Sequence, residues 1–500
     1  MCCRQYKAIF AGLSLLIVTI GAGVFLFVFS GFDLPFAGQQ QNYQEARNIG
    51  LRPDFAITNE GELWRLLNRV ELEDGTRIIL TEASKVMDNA LSIFDGGRVL
   101  DNYHTLWLPL ITESEHEKIM ENVISWQHGN IRTEYIITKD GLLWGMGAYP
   151  DFNFEVVMED VVSVLIVPNW HYMRRNILGG AGDIVVALTS DGRLWAWDDP
   201  FSAAFWLDMR AERQAEGLFD RGQPVMILEN VTYFAWDDFH AIYAITSDNA
   251  LWGWGDYGIF MRDMFNPSAP VRIMDDVAHV IPRINRVYVI STDETLWAWG
   301  TGILGDGRNF DSSDPGRYFT LQPVRIMDNV SKVIIDERPS PTDPVYVITN
   351  DGTLWGWGDA GFIGNGTDEG SLYPVRIMDD VVKVMAGRFN TYTITSQGTL
   401  WGWGLNEQGQ VGDGTIINRY SPVKIMDNVL LMDFLEISGR PNGSRFVMTT
   451  DGAVWAWGVI DWALGNIDIE IEPQLYPTLV INSDGTPARI SPVRALLGLD

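Results

Sequence analysis

Tryptophan pairs, acidic turns and a few histidines are the residues of this chain that could do chemistry. Six segments carry Trp-x-Trp: Trp195/Trp197, Trp252/Trp254, Trp297/Trp299, Trp355/Trp357, Trp401/Trp403 and Trp455/Trp457. On a strand, residues i and i+2 share a face, so each pair could stack on a sugar ring or fill a core. Its return in segment after segment favours the core, in the interface between neighbouring sheets. Acidic turns such as Asp191-Gly192 and Asp351-Gly352 could suggest calcium, yet none extends to the alternating Asp/Asn loop with a distal Glu that an EF-hand needs. The Asp306, Asp311 and Asp314 loop matches no metal spacing, and Ile467-Asp-Ile-Glu-Ile-Glu472 alternates like a half-exposed strand. His116-Glu117 runs into Lys118-Ile119-Met120, which excludes the zinc-protease helix motif, and no Gly-x-Ser-x-Gly or P-loop occurs. A repeated motif belongs to every unit, whereas a catalytic site is usually written once. The sequence therefore reads as non-enzymatic, with no cofactor and no metal. A carboxylate site assembled from distant loops would not be visible in linear sequence.

The elements that position these residues repeat. A β-branched strand, an acidic turn and Leu-Trp recur at Ile137–Trp144, Leu188–Trp195 and Ile245–Trp252, and again around Trp297, Trp355, Trp401 and Trp455. A partial copy, Ile57-Thr-Asn-Glu-Gly-Glu-Leu-Trp64, precedes them. Such periodicity marks a repeat architecture. The clearest unit reads as four strands: Val381–Gly387, Thr391–Thr395, Thr399–Gly404 and Ser421–Met426, with a Gly-rich loop before the fourth. Repeated four-stranded antiparallel units predict an all-β, closed β-propeller. The chain enters in mid-unit at Phe55 and ends with a fourth-strand-like Ser491-Pro-Val-Arg494. Those halves would complete one blade and remove the exposed edges. The Met-Asp-Asn-Val element at Met87, Met120, Met158, Leu228, Met274, Met327, Met378 and Met426 predicts eight blades, within a range of seven to nine. The Met87–Met120 unit is degenerate, and its His104-Thr-Leu-Trp-Leu108 fits a second or a third strand.

The segment Trp401-Gly-Trp-Gly-Leu-Asn-Glu-Gln-Gly-Gln-Val-Gly-Asp-Gly-Thr415, with Val381-x-x-Val384-x-x-Gly387, resembles the signature of the regulator-of-chromosome-condensation repeat family. The resemblance extends over roughly residues 55 to 494. It implies a seven-bladed-type propeller and a protein-binding role. The family's nuclear member is an exchange factor for a small GTPase and binds chromatin. Its contact loops have no match here, so that activity is not implied. Secreted bacterial members, among them a β-lactamase inhibitory protein, offer a closer analogy.

Composition sets the address. At 46% hydrophobic and 20% charged, the chain is globular. Residues 8–29 carry no charge, which suits one transmembrane helix of about 20 residues. Arg4 and Lys7 before it and Asp33 after it place residues 1–7 in the cytoplasm, 30–54 as a linker, and the propeller, 55–500, outside. A cleaved signal peptide is the alternative. Cys2 and Cys3, the chain's two cysteines, precede the anchor and could be acylated or remain plain thiols. The formal charge is −29, and residues 1–37 hold only Arg4, Lys7 and Asp33 among charged groups, so the acidity lies in the propeller. Nucleic acid is thereby disfavoured, since phosphate binding needs a cationic surface. A basic protein partner fits, as does a monomer.

Strand parity locates the partner. If the four strands alternate, the loops joining strands one to two and three to four share one end. The long insertions fall there: Val167–Asp183, Asp198–Gly222, Asp256–Ala269, Thr301–Gln322, Asp336–Pro344 and Val459–Ile490. They carry aromatics and arginines that the repeat does not require: Trp170, Tyr172, Arg174, Arg175, Phe205, Trp206, Tyr257, Phe260, Phe362 and Trp462. Trp, Tyr and Arg are the usual interface anchors. The expected function is an extracytoplasmic protein-interaction scaffold that uses this end. A carbohydrate-binding or carbohydrate-cleaving surface protein and a ligand-free structural module are the alternatives.

Overall fold

The computed structural model describes strands between residues 13 and 479 together with many of their connections. Outside the described residues lie 1–12, 31–54, 480–500, most connections before residue 99, and later segments including 110–115, 129–133, 147–153, 168–183, 199–222, 256–269, 309–318, 336–342, 436–443 and 459–473. The described secondary structure is all strand. The chain divides into two compact units, a middle one comprising Leu91–Asp293 and a flanking one comprising Gly50–Ala90 and Glu294–Asp500.

In the middle unit three sheets follow the four-stranded pattern. They run Val123–His128, Glu134–Thr138, Leu143–Met146, Phe154–Met158; then Val161–Val167, Ile184–Thr189, Leu194–Asp198, Val225–Leu228; then Val231–Trp236, Ala241–Thr246, Leu251–Gly255, Val271–Met274. The flanking unit holds three more. These are Val330–Ile335, Val345–Thr349, Leu354–Gly358, Ser371–Met378; Val381–Ala386, Asn390–Thr395, Leu400–Gly404, Arg419–Met426; and Val429–Leu435, Ser444–Thr449, Val454–Gly458, Gln474–Leu479. Each strand pairs antiparallel with its sequence neighbours, as a meander. The strands read for the Val381–Met426 unit are all present.

The partial first copy forms Phe55–Ile57, Leu63–Arg65 and Ser84–Met87, which correspond to second, third and fourth strands. The degenerate unit is also four-stranded, and His104 resolves within it. Val99–Asp101 is the second strand, His104 takes a left-handed turn conformation (φ 64°), and Leu106–Pro109 is the third strand. The closing Ser491–Arg494 lies outside the described residues, while Gln474–Leu479 is the fourth strand of the last sheet. The last insertion is therefore shorter than expected, 459–473.

The N-terminal helix expected over 8–29 is replaced by an antiparallel hairpin, Leu13–Ile20 with Gly23–Ser30. Val, Ile, Thr and Phe are frequent in these segments and favour strand. The absence of charge suits either form, so the length of the run alone misled. No helix among the described residues is long and apolar enough to cross a membrane.

Burial explains the pattern within a sheet. Second strands such as Ile184–Thr189 are buried throughout, whereas fourth strands such as Ser371–Met378 are half-exposed. Cores form between successive sheets. Tyr135, Ile137 and Leu143 of one sheet pack with Val164, Val185 and Trp197 of the next. The second Trp of each pair is the anchor: Trp197, Trp299, Trp357, Trp403 and Trp457 are fully buried. Each such burial contributes on the order of 1.5–3 kcal/mol. The first Trp of each pair stays half-buried. The expectation that the pairs serve the interface between sheets is met, for a tyrosine on the preceding second strand meets the buried ring edge-on. The pairs are Tyr135–Trp197, Tyr346–Trp403 and Tyr392–Trp457, with centroids 6.2, 6.0 and 6.1 Å apart.

Candidate functional site

The two ends of the sheets are built differently. At one end lie the acidic turns between second and third strands and the Met-Asp-Asn turns between sheets. Asn122, Asp160, Asn230, Asp276, Asn329, Asp380 and Asn428 close the latter in the left-handed region, φ 56–61°. Asn and Asp are the side-chain-bearing residues that best tolerate it. That geometry aims backbone groups at the next sheet. Val161 N donates to Gly141 O and Ser190 N to Asp160 O, each at 2.8 Å. The same two bonds recur as Val231 to Gly192 and Ser247 to Asn230, and as Val381 to Gly352 and Ser396 to Asp380.

The acid of each turn is also occupied. Thr138, Thr189, Thr246, Thr349 and Thr449 donate Oγ1 to Oδ1 of the Asp two residues on, at 2.5–2.7 Å. This bond holds the carboxyls of Asp140, Asp191, Asp248 and Asp351 below their usual range. These acids organise turns. Among the described residues no group of three His, Cys, Asp or Glu side chains is arranged to hold a metal ion.

At the opposite end the Gly-rich loop is a lock between sheets. Asn406 is fully buried; its Nδ2 donates to Asp413 Oδ1, Thr415 O and Ile417 O, and its Oδ1 accepts from Val411 N at 2.8 Å. Burial alone would raise the Asp413 carboxyl, but hydrogen bonds from Thr415 and Arg419 hold it below the usual range. The loop carbonyl of Gln410 accepts from Tyr392 Oη of its own sheet and from Trp457 Nε1 of the next, the latter at 2.8 Å. Phe362 O does the same for Tyr346 Oη and Trp403 Nε1, both at 3.1 Å. Burial pushes the Tyr346 hydroxyl up to about 12. A second stitch runs to the outer strands: Gly366 N donates to Tyr420 O and Gly414 N to Leu475 O, each at 2.8 Å.

Of the proposed contact residues, Phe362 lies within the described part. Its ring stacks on Tyr420 (5.7 Å, 4° between planes) and its carbonyl caps Trp403. Trp170, Tyr172, Arg174, Arg175, Phe205, Trp206, Tyr257, Phe260 and Trp462 lie outside the described residues. Their segments, however, connect described strands. The stretches 168–183 and 336–342 join first to second strands, and 199–222, 256–269, 309–318 and 459–473 join third to fourth strands. No connection this long joins a second strand to a third, or one sheet to the next, in the stretch from Val123 to Leu479.

The sequence reading missed the recurring tyrosine and a ladder of cations. Tyr135, Tyr243, Tyr288, Tyr346 and Tyr392 stand three residues before the turn Thr or Ser, a spacing that could have revealed them. The cations sit on outer strands, opposite the Leu-Trp tryptophan of six repeats. Lys85, Lys118, Arg272, Arg325, Arg376 and Lys424 pair in register with Trp64, Trp107, Trp252, Trp297, Trp355 and Trp401. Arg272 lies 5.9 Å from the centre of the Trp252 ring. Five of these cations bind the acid three residues on: Lys118–Glu121, Arg272–Asp275, Arg325–Asp328, Arg376–Asp379 and Lys424–Asp427.

Comparison with known proteins agrees with this repeat. Residues 397–438 match the regulator of chromosome condensation (RCC1) repeat, and residues 381–410 match a second form of it. The Arabidopsis thaliana protein "Ultraviolet-B receptor UVR8" is 27% identical over 229 residues, which cover 41% of this chain and 48% of that protein. The chain thus spans about half the length of this curated relative. Among solved structures, yeast RCC1 (Prp20) bound to Kap60 is 17% identical over 73% of this chain and 91% of its own, with a TM-score of 0.38. Human WBSCR16 is 15% identical over 63% and 86%, with a TM-score of 0.36. The matched residues form one complete meander, Val381–Met426, and the first strand of the next sheet, and this stretch is similar to the regulator of chromosome condensation repeat.

Proposed function

We propose that this chain is a non-enzymatic, extracytoplasmic protein-interaction scaffold, its sheets closed into a propeller, and that it binds a protein partner through the loop-rich end. One observation carries the reading. The turn end is consumed by stitching between sheets, whereas the six long connections named above open at the other end. Loops displayed by a rigid scaffold are where binding residues concentrate. Trp170, Trp206 and Trp462 are the anchors of this reading, with Arg174 and Arg175 beside the first. The formal charge of −29 favours a basic partner.

Capture of ligands from host surface extract tests it, with half the extract protease-treated. Capture by the whole chain that is lost after protease, and lost in Trp170→Ala/Trp206→Ala, is the expected result. Capture that survives protease would indicate a glycan and would overturn the reading.

A further inference from the structure

The cation ladder of the outer strands is interrupted in two consecutive sheets of the middle unit, and once more in the last sheet of the flanking unit, where Leu479 pairs with Trp455. In the register opposite Trp144 stands Val156, and opposite Trp195 stands Met226, where the sheets on either side carry Lys118 and Arg272. Val156 is 45% and Met226 43% exposed, and Val225 beside it is 39% exposed. The inward positions are filled separately by Val157 and Ile227, which pack against the cores, so the outward residues serve no core.

The interruption has an electrostatic consequence. The acid three residues on is retained as Glu159 and Glu229, both exposed. In the neighbouring sheets the equivalent acids are held by Lys118 and Arg272. Glu159 and Glu229 make no ion pair among the described residues, and Arg193, on the turn of the second of these sheets, is engaged by Asp191. Outer strands are also sheet edges, and a charged side chain on an edge is a standard guard against the addition of foreign strands. The Val225–Leu228 edge carries no charged side chain, and Phe154–Met158 carries only the acidic Glu155, which would itself favour a basic segment.

We infer that the outer edges at Phe154–Met158 and Val225–Leu228 form a second docking surface, for an extended segment of a protein partner that alternates apolar and basic side chains. Strand addition would satisfy the free edge groups. Apolar side chains would cover Val156 and Met226, and the partner's cations would replace the missing Lys or Arg at Glu159 and Glu229. A second copy of this chain fits poorly, since two chains of charge −29 repel. The inference is independent of the loop-rich end, because it concerns outer strands.

The test uses the full chain and a fluorescent synthetic peptide of alternating lysine and valine, with an alternating glutamate–valine peptide as control. Anisotropy is read at physiological ionic strength, where exposed long-range attraction is screened. Val156→Arg/Met226→Arg restores the pattern of the neighbouring repeats and should fold as the parent does. It should weaken the basic peptide roughly tenfold or more. Val382→Arg/Leu430→Arg adds the same charge at exposed positions elsewhere and should leave affinity unchanged. Glu159→Gln/Glu229→Gln should weaken binding and flatten its salt dependence. Equal affinity for both peptides, or equal losses in the two arginine variants, would overturn the inference. So would self-association in sedimentation that Val156→Arg/Met226→Arg abolishes, or peptide binding that appears only after the chain's own 199–222 segment is replaced by a neutral linker.

Discussion

Gly412→Ala probes the lock between sheets most sharply. Gly412 has φ +83°, and a Cβ there would lie 2.5 Å from Trp457 Nε1 and 2.8 Å from Cδ1. Trp457 is fully buried and bonded to Gln410 O, so its ring cannot swing aside without losing that bond. The left-handed backbone costs a side-chain-bearing residue about 1–2 kcal/mol. Overpacking a filled core adds typically ~1–3 kcal/mol. The sum is about 2–5 kcal/mol. Gly366 separates the two effects. Its φ is +91°, but its Cβ would meet only Ser421 Oγ, at 3.4 Å. Gly366→Ala should therefore lose about 1–2 kcal/mol. Urea unfolding followed by tryptophan fluorescence would measure both, with Gly412→Ala the less stable by ~1–3 kcal/mol. Equal losses in the two variants would refute the claim that the loop is packed against the next sheet's tryptophan.

Other outcomes follow from the same contacts. Asn406→Ala leaves Val411 N and loop carbonyls unsatisfied in a buried site and should cost several kcal/mol, at about 1–3 per stranded group; Asn406→Asp should not rescue it, because Asp413 would face a second carboxylate. Tyr392→Phe removes one hydroxyl bond to Gln410 O and should cost about 1 kcal/mol in thermal or urea unfolding. Asp140, Asp191, Asp248 and Asp351 should titrate below 3.8 by carboxyl NMR, and Thr349→Val should return Asp351 towards it. Because these carboxyls are lowered in the folded chain, their stabilisation is complete above 3.8 and is lost as pH falls through the lowered folded values. Arg376→Val, at an exposed pair with Asp379, should change stability by less than ~1 kcal/mol.

What could be read from the sequence was what the chain determines locally. The Thr-x-Asp-Gly turns and the Met-Asp-Asn turns announce themselves, because Gly, Asn and Asp are needed where φ is positive. Strand parity followed from counting these turns. The loops hid their role because their partners are distant in sequence. Val411-Gly-Asp-Gly414 looks like a free Gly-rich loop, yet it serves Trp457 and Tyr476 of the next sheet. Phe362 was read as a contact residue for the same reason, while its carbonyl and ring are used by Trp403 and Tyr420. Residues 8–29 were ambiguous in composition, and the length of the run outweighed its β-branched content. The gaps at Val156 and Met226 emerged only once register aligned every outer strand with its tryptophan.

Photo-crosslinking in the native host tests the central claim most directly. A benzoylphenylalanine would be placed at Trp170 and Trp206 on the loop-rich end, and at Asp191 and Asp351 on the turn end. The account predicts protein adducts from the first pair and none from the second. Adducts from Asp191 or Asp351 alone would contradict it, because the stitched turn end would then be the binding face.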